Sequence, residues 1–167
     1  MKLKHTKIPR EFVENIPAGL KYVQWTGKDY LVVEQVFCPS GHSLMVDNVR
    51  LHSKPSIKLG MRIGDRAGEI YVDAYWGSHD KLYSFVPPSQ EDPGDEVNCP
   101  VCGVSLFADH APCTLCGTRK FIQLLLPGGK NRILVCAKLG CSEHELLAVD
   151  FPAEITGIVN DINYFGL

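Results

Sequence analysis

Residues 99–117 read CPVCGVSLFADHAPCTLCG, and they contain two copies of one local device, Cys99-Pro100-Val101-Cys102-Gly103 and Cys113-Thr114-Leu115-Cys116-Gly117. Two residues between cysteines let both sulfurs point at one ion. A glycine after the second cysteine permits the tight turn that aims backbone N–H groups at sulfur. Small buried hydrophobes meeting by chance would not repeat the glycine. The device therefore predicts metal-binding knuckles, and the remaining cysteines fall into short groups of the same kind: Cys38 with His42, and Cys136 with Cys141, followed by His144. There are seven cysteines in all. An odd number behind an N-terminus, MKLKHTKIPREF, that has charges but no apolar segment argues for reduced thiols in a cytoplasmic protein rather than a disulfide framework.

Outward from the knuckles the pattern is β. Ser56 to Ile63 alternates strictly, with Ile57, Leu59, Met61 and Ile63 on one face and Ser56, Lys58, Gly60 and Arg62 on the other. After the turn at 64–68, Ile70, Val72, Ala74 and Trp76 alternate with Glu69, Tyr71, Asp73 and Tyr75, and a third strand follows Gly77-Ser78-His79-Asp80. Residues 54–87 thus read as an antiparallel meander. A hairpin is expected from Lys21–Trp25 and Tyr30–Phe37, leading into Cys38, and another from Lys120–Leu126 and Arg132–Lys138 around Pro127-Gly128-Gly129-Lys130-Asn131. Helical spacing occurs at the C-terminus, where Ile155, Ile158, Val159, Ile162 and Phe165 follow Asp150 and Pro152. The fold class expected is mostly β, an antiparallel meander plus zinc-ribbon-like hairpins with one C-terminal helix. The stretch PPSQEDPGDE over 87–96 marks the best boundary, giving a hairpin and meander region over 1–90 and a ribbon-like region over 91–167, packed as one unit through shared metal sites.

Over roughly residues 99–144 the knuckles resemble those of zinc-ribbon modules. CTLCG, a hairpin and then CAKLGC is similar to the ribbon repeats of bacterial type I topoisomerases, in which C-x2-C, a hairpin and a more widely spaced cysteine pair share one zinc. That resemblance implies one site from Cys113, Cys116, Cys136 and Cys141. The closing pair departs from the common spacing, and His144 is the alternative to Cys136.

An internal echo completes the inventory. Cys38-Pro39-Ser40-Gly41-His42-Ser43-Leu44 resembles Cys99-Pro100-Val101-Cys102-Gly103-Val104-Ser105-Leu106, each opening with Cys-Pro and closing with Ser-Leu. As halves of one site they give Cys38, His42, Cys99 and Cys102. This partition into two sites leaves no orphan thiol. Two other pairings remain open at this level: the knuckles 99/102 and 113/116 joined to each other, with Cys38, His42, Cys141 and His144 forming the second site, or a cross-braced arrangement as in RING-type domains. The donor set favours two zinc ions over iron, because histidine beside thiolates suits structural zinc. Four protein donors per ion leave no open position, so the metals are expected to fold the chain rather than catalyse.

With 167 residues, 45% hydrophobic, and a formal charge of -2, the chain can bury a substantial core and does not advertise nucleic acid. A site of three thiolates and a dication carries one negative charge and a site of four carries two, which would lower the total to about -5. No apolar run suits a membrane span. A protein-interaction module is the leading expectation, its surface the meander face bearing Lys54, Lys58, Arg62, Tyr71, Asp73 and Tyr75. The alternatives are a nucleic-acid-binding ribbon using Arg119, Lys120, Lys130, Arg132 and Lys138, and a zinc-dependent hydrolase in which release of His144 or Cys136 opens one site to water. Against the last, adjacent Ser78, His79 and Asp80 do not make a relay, and His5, His52 and His110 read as isolated surface residues.

Overall fold

A computed structural model describes residues 8–25, 27–78, 80–87, 94–139, 141 and 143–161. Among these residues there are two short helices and eleven strands, all paired antiparallel: α1 (Arg10–Glu14), β1 (Leu20–Trp25), β2 (Lys28–Val33), β3 (Met45–Leu51), β4 (Lys54–Ile63), β5 (Arg66–Val72), β6 (Lys81–Tyr83), β7 (Glu96–Asn98), β8 (Phe107–Asp109), β9 (Lys120–Leu125), β10 (Arg132–Cys136), β11 (His144–Leu147) and α2 (Ala153–Asn160). The protein is mostly antiparallel β-sheet with a short C-terminal helix.

β1 and β2 form a hairpin in register from Leu20–Val33 to Trp25–Lys28. β2 stops at Val33 instead of running to Phe37, because Gly19, at φ +94°, offers its carbonyl to the N–H groups of both Glu34 and Gln35 and turns the chain there. The meander is a sheet of order β3-β4-β5-β6, with β7 paired to the other end of the β4 edge that carries β3. Its predicted inward face is buried, with Ile57, Leu59, Met61, Ile63 and Ile70 each below 5% exposure. Two positions assigned to the polar face are buried as well. Ser56 lies under a bulge between Val46 and Arg50 and donates its hydroxyl to the Val49 carbonyl at 2.7 Å. Asp73 ends β5 four residues short of Trp76, since its carboxylate accepts the Tyr75 N–H and breaks the ladder with an Asx-type turn.

The second sheet has the order β11-β10-β9-β8, centred on the predicted hairpin at 120–138. It packs on the meander, and Leu59, Met61 and Ile70 from one side face Ile122 and Val135 from the other across a narrow cavity. One large core runs through both sheets and reaches Phe12 of α1 and Val159 of α2, each fully buried. A smaller cluster of Phe121, Leu134, Cys113 and Cys136 sits beyond it. The side chain of Trp76 donates Nε1–H to the Val159 carbonyl of α2 at 2.8 Å, tying the helix to the meander. Pro152 occupies the position before its first turn, and Asp150 pairs with Lys130 instead of capping it. Ile162, Phe165, His79 and residues 88–93 of the expected boundary lie outside the described residues. None of the described helices is long and apolar enough to cross a membrane.

Candidate metal centres

Each of three knuckles is braced by its own backbone. In the first, the Cys38 N–H donates to the His42 carbonyl at 3.0 Å, and the His42 N–H points at Cys38 Sγ at 3.4 Å. In the second, the Gly103 N–H donates to the Cys99 carbonyl at 2.9 Å while the Val101 N–H points at Cys99 Sγ at 3.4 Å. Cys113 repeats this with Gly117 and Leu115, at 2.8 and 3.4 Å. Gly41, Gly103 and Gly117 all have positive φ, +91°, +76° and +80°, the conformation that the spacing required of them.

The sheets then bring the knuckles together in pairs. β7 is held on β4 and delivers Cys99 beside Cys38, which the Phe37 bridges to Ser43 and Leu125 fix in place. Cys38, His42, Cys99 and Cys102 lie with their donor atoms within 4.8 Å of one another. Cys113, Cys116, Cys136 and Cys141 do the same at the end of the second sheet, where the Cys136 N–H donates to the Glu143 carbonyl at 3.0 Å and closes the loop that carries Cys141. Sulfur separations are 3.8 Å for Cys38–Cys102, 3.6 Å for Cys113–Cys141 and 3.5 Å for Cys116–Cys136. These are far longer than a disulfide bond of about 2.05 Å and match the roughly 3.8 Å edge of a tetrahedron with ~2.3 Å metal–sulfur bonds. Each set could hold one metal ion with four protein donors. Cys99/Cys102 and Cys113/Cys116 fall in different sets. His144 belongs to neither, its ring packing edge-on against Trp76 with centroids 4.8 Å apart.

The two centres differ in environment. In the first, Cys38 and Cys99 are buried while Cys102 is exposed and His42 partly so, placing one edge in solvent. Burial pushes the Cys38 thiol up, but the His42 backbone N–H and ring and the Ser40 N–H outweigh it and bring the value down to about 6. The Val104 N–H lowers Cys102, while burial raises Cys99, and the hydrogen bond to Cys38 raises His42. In the second centre burial raises both Cys136 and Cys141. Lys81 stands beside that centre, its Nζ donating to the Leu139 carbonyl at 3.3 Å. Burial lowers its pKa, and the neighbouring Cys141 and Cys136 oppose the drop.

Other expected surface residues are already engaged. Arg62 bridges Glu96 and Asp95, Lys130 pairs with Asp150 at 2.8 Å, Arg132 donates to Gln123, and Lys120 lies over the Phe107 ring. His110 is not isolated, because it bonds Glu145 at 3.0 Å and stacks on Phe121. Nor is His52, whose ring lies between Asp73 and Asp80 and forms with them a third donor cluster. Comparison of the chain with protein-family models, curated proteins and solved structures finds no match. The likeness to zinc ribbons is therefore one of knuckle spacing, and no family is recognised.

Proposed function

We propose that both sulfur centres bind Zn2+ as closed structural sites and that the chain is a zinc-stabilised β scaffold serving as a protein-interaction module. The observation that carries the metal reading is that two sets of four Cys/His donors, each drawn from two separate segments, converge to tetrahedral spacing and use every cysteine. Zinc fits the donors: three thiolates with one imidazole, and four thiolates. Four protein donors leave no place for a catalytic water, so each ion acts by holding its segments together. The interaction role is supported by Val101 and Leu115, which occupy the same position in two knuckles and are 67% and 64% exposed. Aliphatic side chains held out at rigid tips suit contact with another protein surface.

The test is native mass spectrometry and elemental analysis of the purified chain. Two zinc ions are expected per chain, with the thiols unreactive until the protein is denatured in chelator. Cys102→Ser and Cys116→Ser should each retain one. Iron with a visible absorption band, or metal content unchanged in both variants, overturns the reading.

A further inference from the structure

The third donor cluster is assembled from two turns of the meander. β3 and β4 are joined by His52-Ser53 alone, and these are the only non-glycine residues at positive φ among those described, +50° and +66°. A two-residue hairpin turn with both angles positive ordinarily takes Asn-Gly. Here it carries an imidazole to the end of β5, where Asp73 waits. The Asp73 side chain is fully buried, and its carboxylate accepts the Tyr75 N–H at 3.0 Å, the Ser78 hydroxyl at 2.6 Å and His52 Nδ1 at 2.5 Å. On the other edge of the ring Nε2 lies 3.2 Å from the carboxylate of Asp80, which is well exposed.

A neutral imidazole has one N–H and one lone pair. It can satisfy one of the two carboxylates that face it, and it then turns the lone pair on the other. A bound cation would meet the acceptors that this arrangement leaves over. We propose that His52, Asp73 and Asp80 form a third cation site, of nitrogen and oxygen donors, that takes one divalent first-row metal ion. Their donor atoms lie within 4.8 Å of one another, and because the two ring nitrogens diverge, an ion bound to one of them would draw the imidazole round until both carboxylates reach it. The chemistry differs from that of the sulfur centres. Imidazole and carboxylates suit Mn2+, Fe2+, Co2+ or Zn2+, and three protein donors leave positions for water or an anionic ligand. Ser78 and the Tyr75 N–H orient Asp73 from behind, and the Tyr75 ring stands edge-on to the imidazole, centroids 6.2 Å apart.

Manganese is the discriminating probe, because it has little affinity for thiolates. The zinc-loaded chain is titrated with Mn2+ and the free ion followed by electron paramagnetic resonance, with native mass spectrometry counting any third Zn2+. One saturable ion per chain is expected. His52→Asn supplies the residue that the turn itself prefers, so the hairpin is kept while the donor is lost, and this variant and Asp80→Asn should abolish saturable binding. Ser78→Ala should weaken it about 10- to 100-fold. Both donor variants should keep whatever metal the sulfur centres hold, which separates failure here from failure there. If the intact chain takes up neither Mn2+ nor additional Zn2+ beyond His52→Asn, the cluster is a hydrogen-bonded contact between two turns and the proposal falls.

Discussion

Replacing Cys102 by serine removes one donor from the solvent edge of the first centre with little change in packing, because that side chain is exposed. What it costs is therefore the metal cross-link. Cys38 and Cys102 are 64 residues apart, and closing a loop of that length restricts the unfolded chain by about 4 kcal/mol when the cross-link is treated as a covalent one. For the second centre the Cys116–Cys136 separation is 20 residues, which gives about 3 kcal/mol. These are lower bounds, since structural zinc peptides derive on the order of 10 kcal/mol from the metal. Urea denaturation of Cys102→Ser and Cys116→Ser, each with its metal counted, should show both destabilised and the first by more. In a chain of this size the first loss corresponds to a fall in Tm of roughly 10 °C. A Cys102→Ser protein that has shed one ion yet unfolds within about 1 kcal/mol of the parent would refute the cross-link reasoning.

Three further outcomes follow from the packing. Gly19→Ala should cost more than about 2 kcal/mol in denaturant unfolding, because a Cβ there would stand 2.5 Å from Pro127 Cδ and 2.7 Å from the Gln35 carbonyl at φ +94°. Trp76→Phe should lose about 1 kcal/mol through the bond to the Val159 carbonyl, and amide exchange in α2 should accelerate more than in β9. Tyr22 donates to the buried Asp29 at 2.7 Å, and that bond raises its pKa above 10.0. Its contribution to stability should be complete below pH 10.0 and lost as the pH climbs through the raised folded value, with phenolate absorbance returning to the ordinary range in Asp29→Asn.

The parts of this fold that show in the sequence are those with a repeating local cause. β4, β9, β10 and α2 have a buried face at the period of their element, and the knuckles are chelating turns complete within five residues. β3 lacks such a cause: none of its residues is buried, and its turn is His-Ser where Asn-Gly would have signalled a hairpin. β7 and β8 have three residues each and exist because neighbouring strands offer an edge. The donors of the sulfur centres announce themselves by spacing, although which knuckle meets which depends on β7 pairing with β4. The His52 cluster had no spacing to read, because His52 lies 21 residues before Asp73 and meets it only when β3, β4 and β5 are in register.

The long excursion between the two halves of the first centre also sets an order of events at the ribosome. Cys38 and His42 emerge first, and Cys102 follows Cys38 by 64 residues, roughly 3–13 s at ordinary rates of synthesis. During that interval the early half-site has two donors, and the strands that will carry the other pair to it are still being made. In the folded chain Cys99 stands one residue beyond β7, which pairs with β4, so an ion bound as proposed would join that pairing to the Cys38 turn. On the proposed reading, a complete donor set at this centre is available only once the chain through Cys102 has been made.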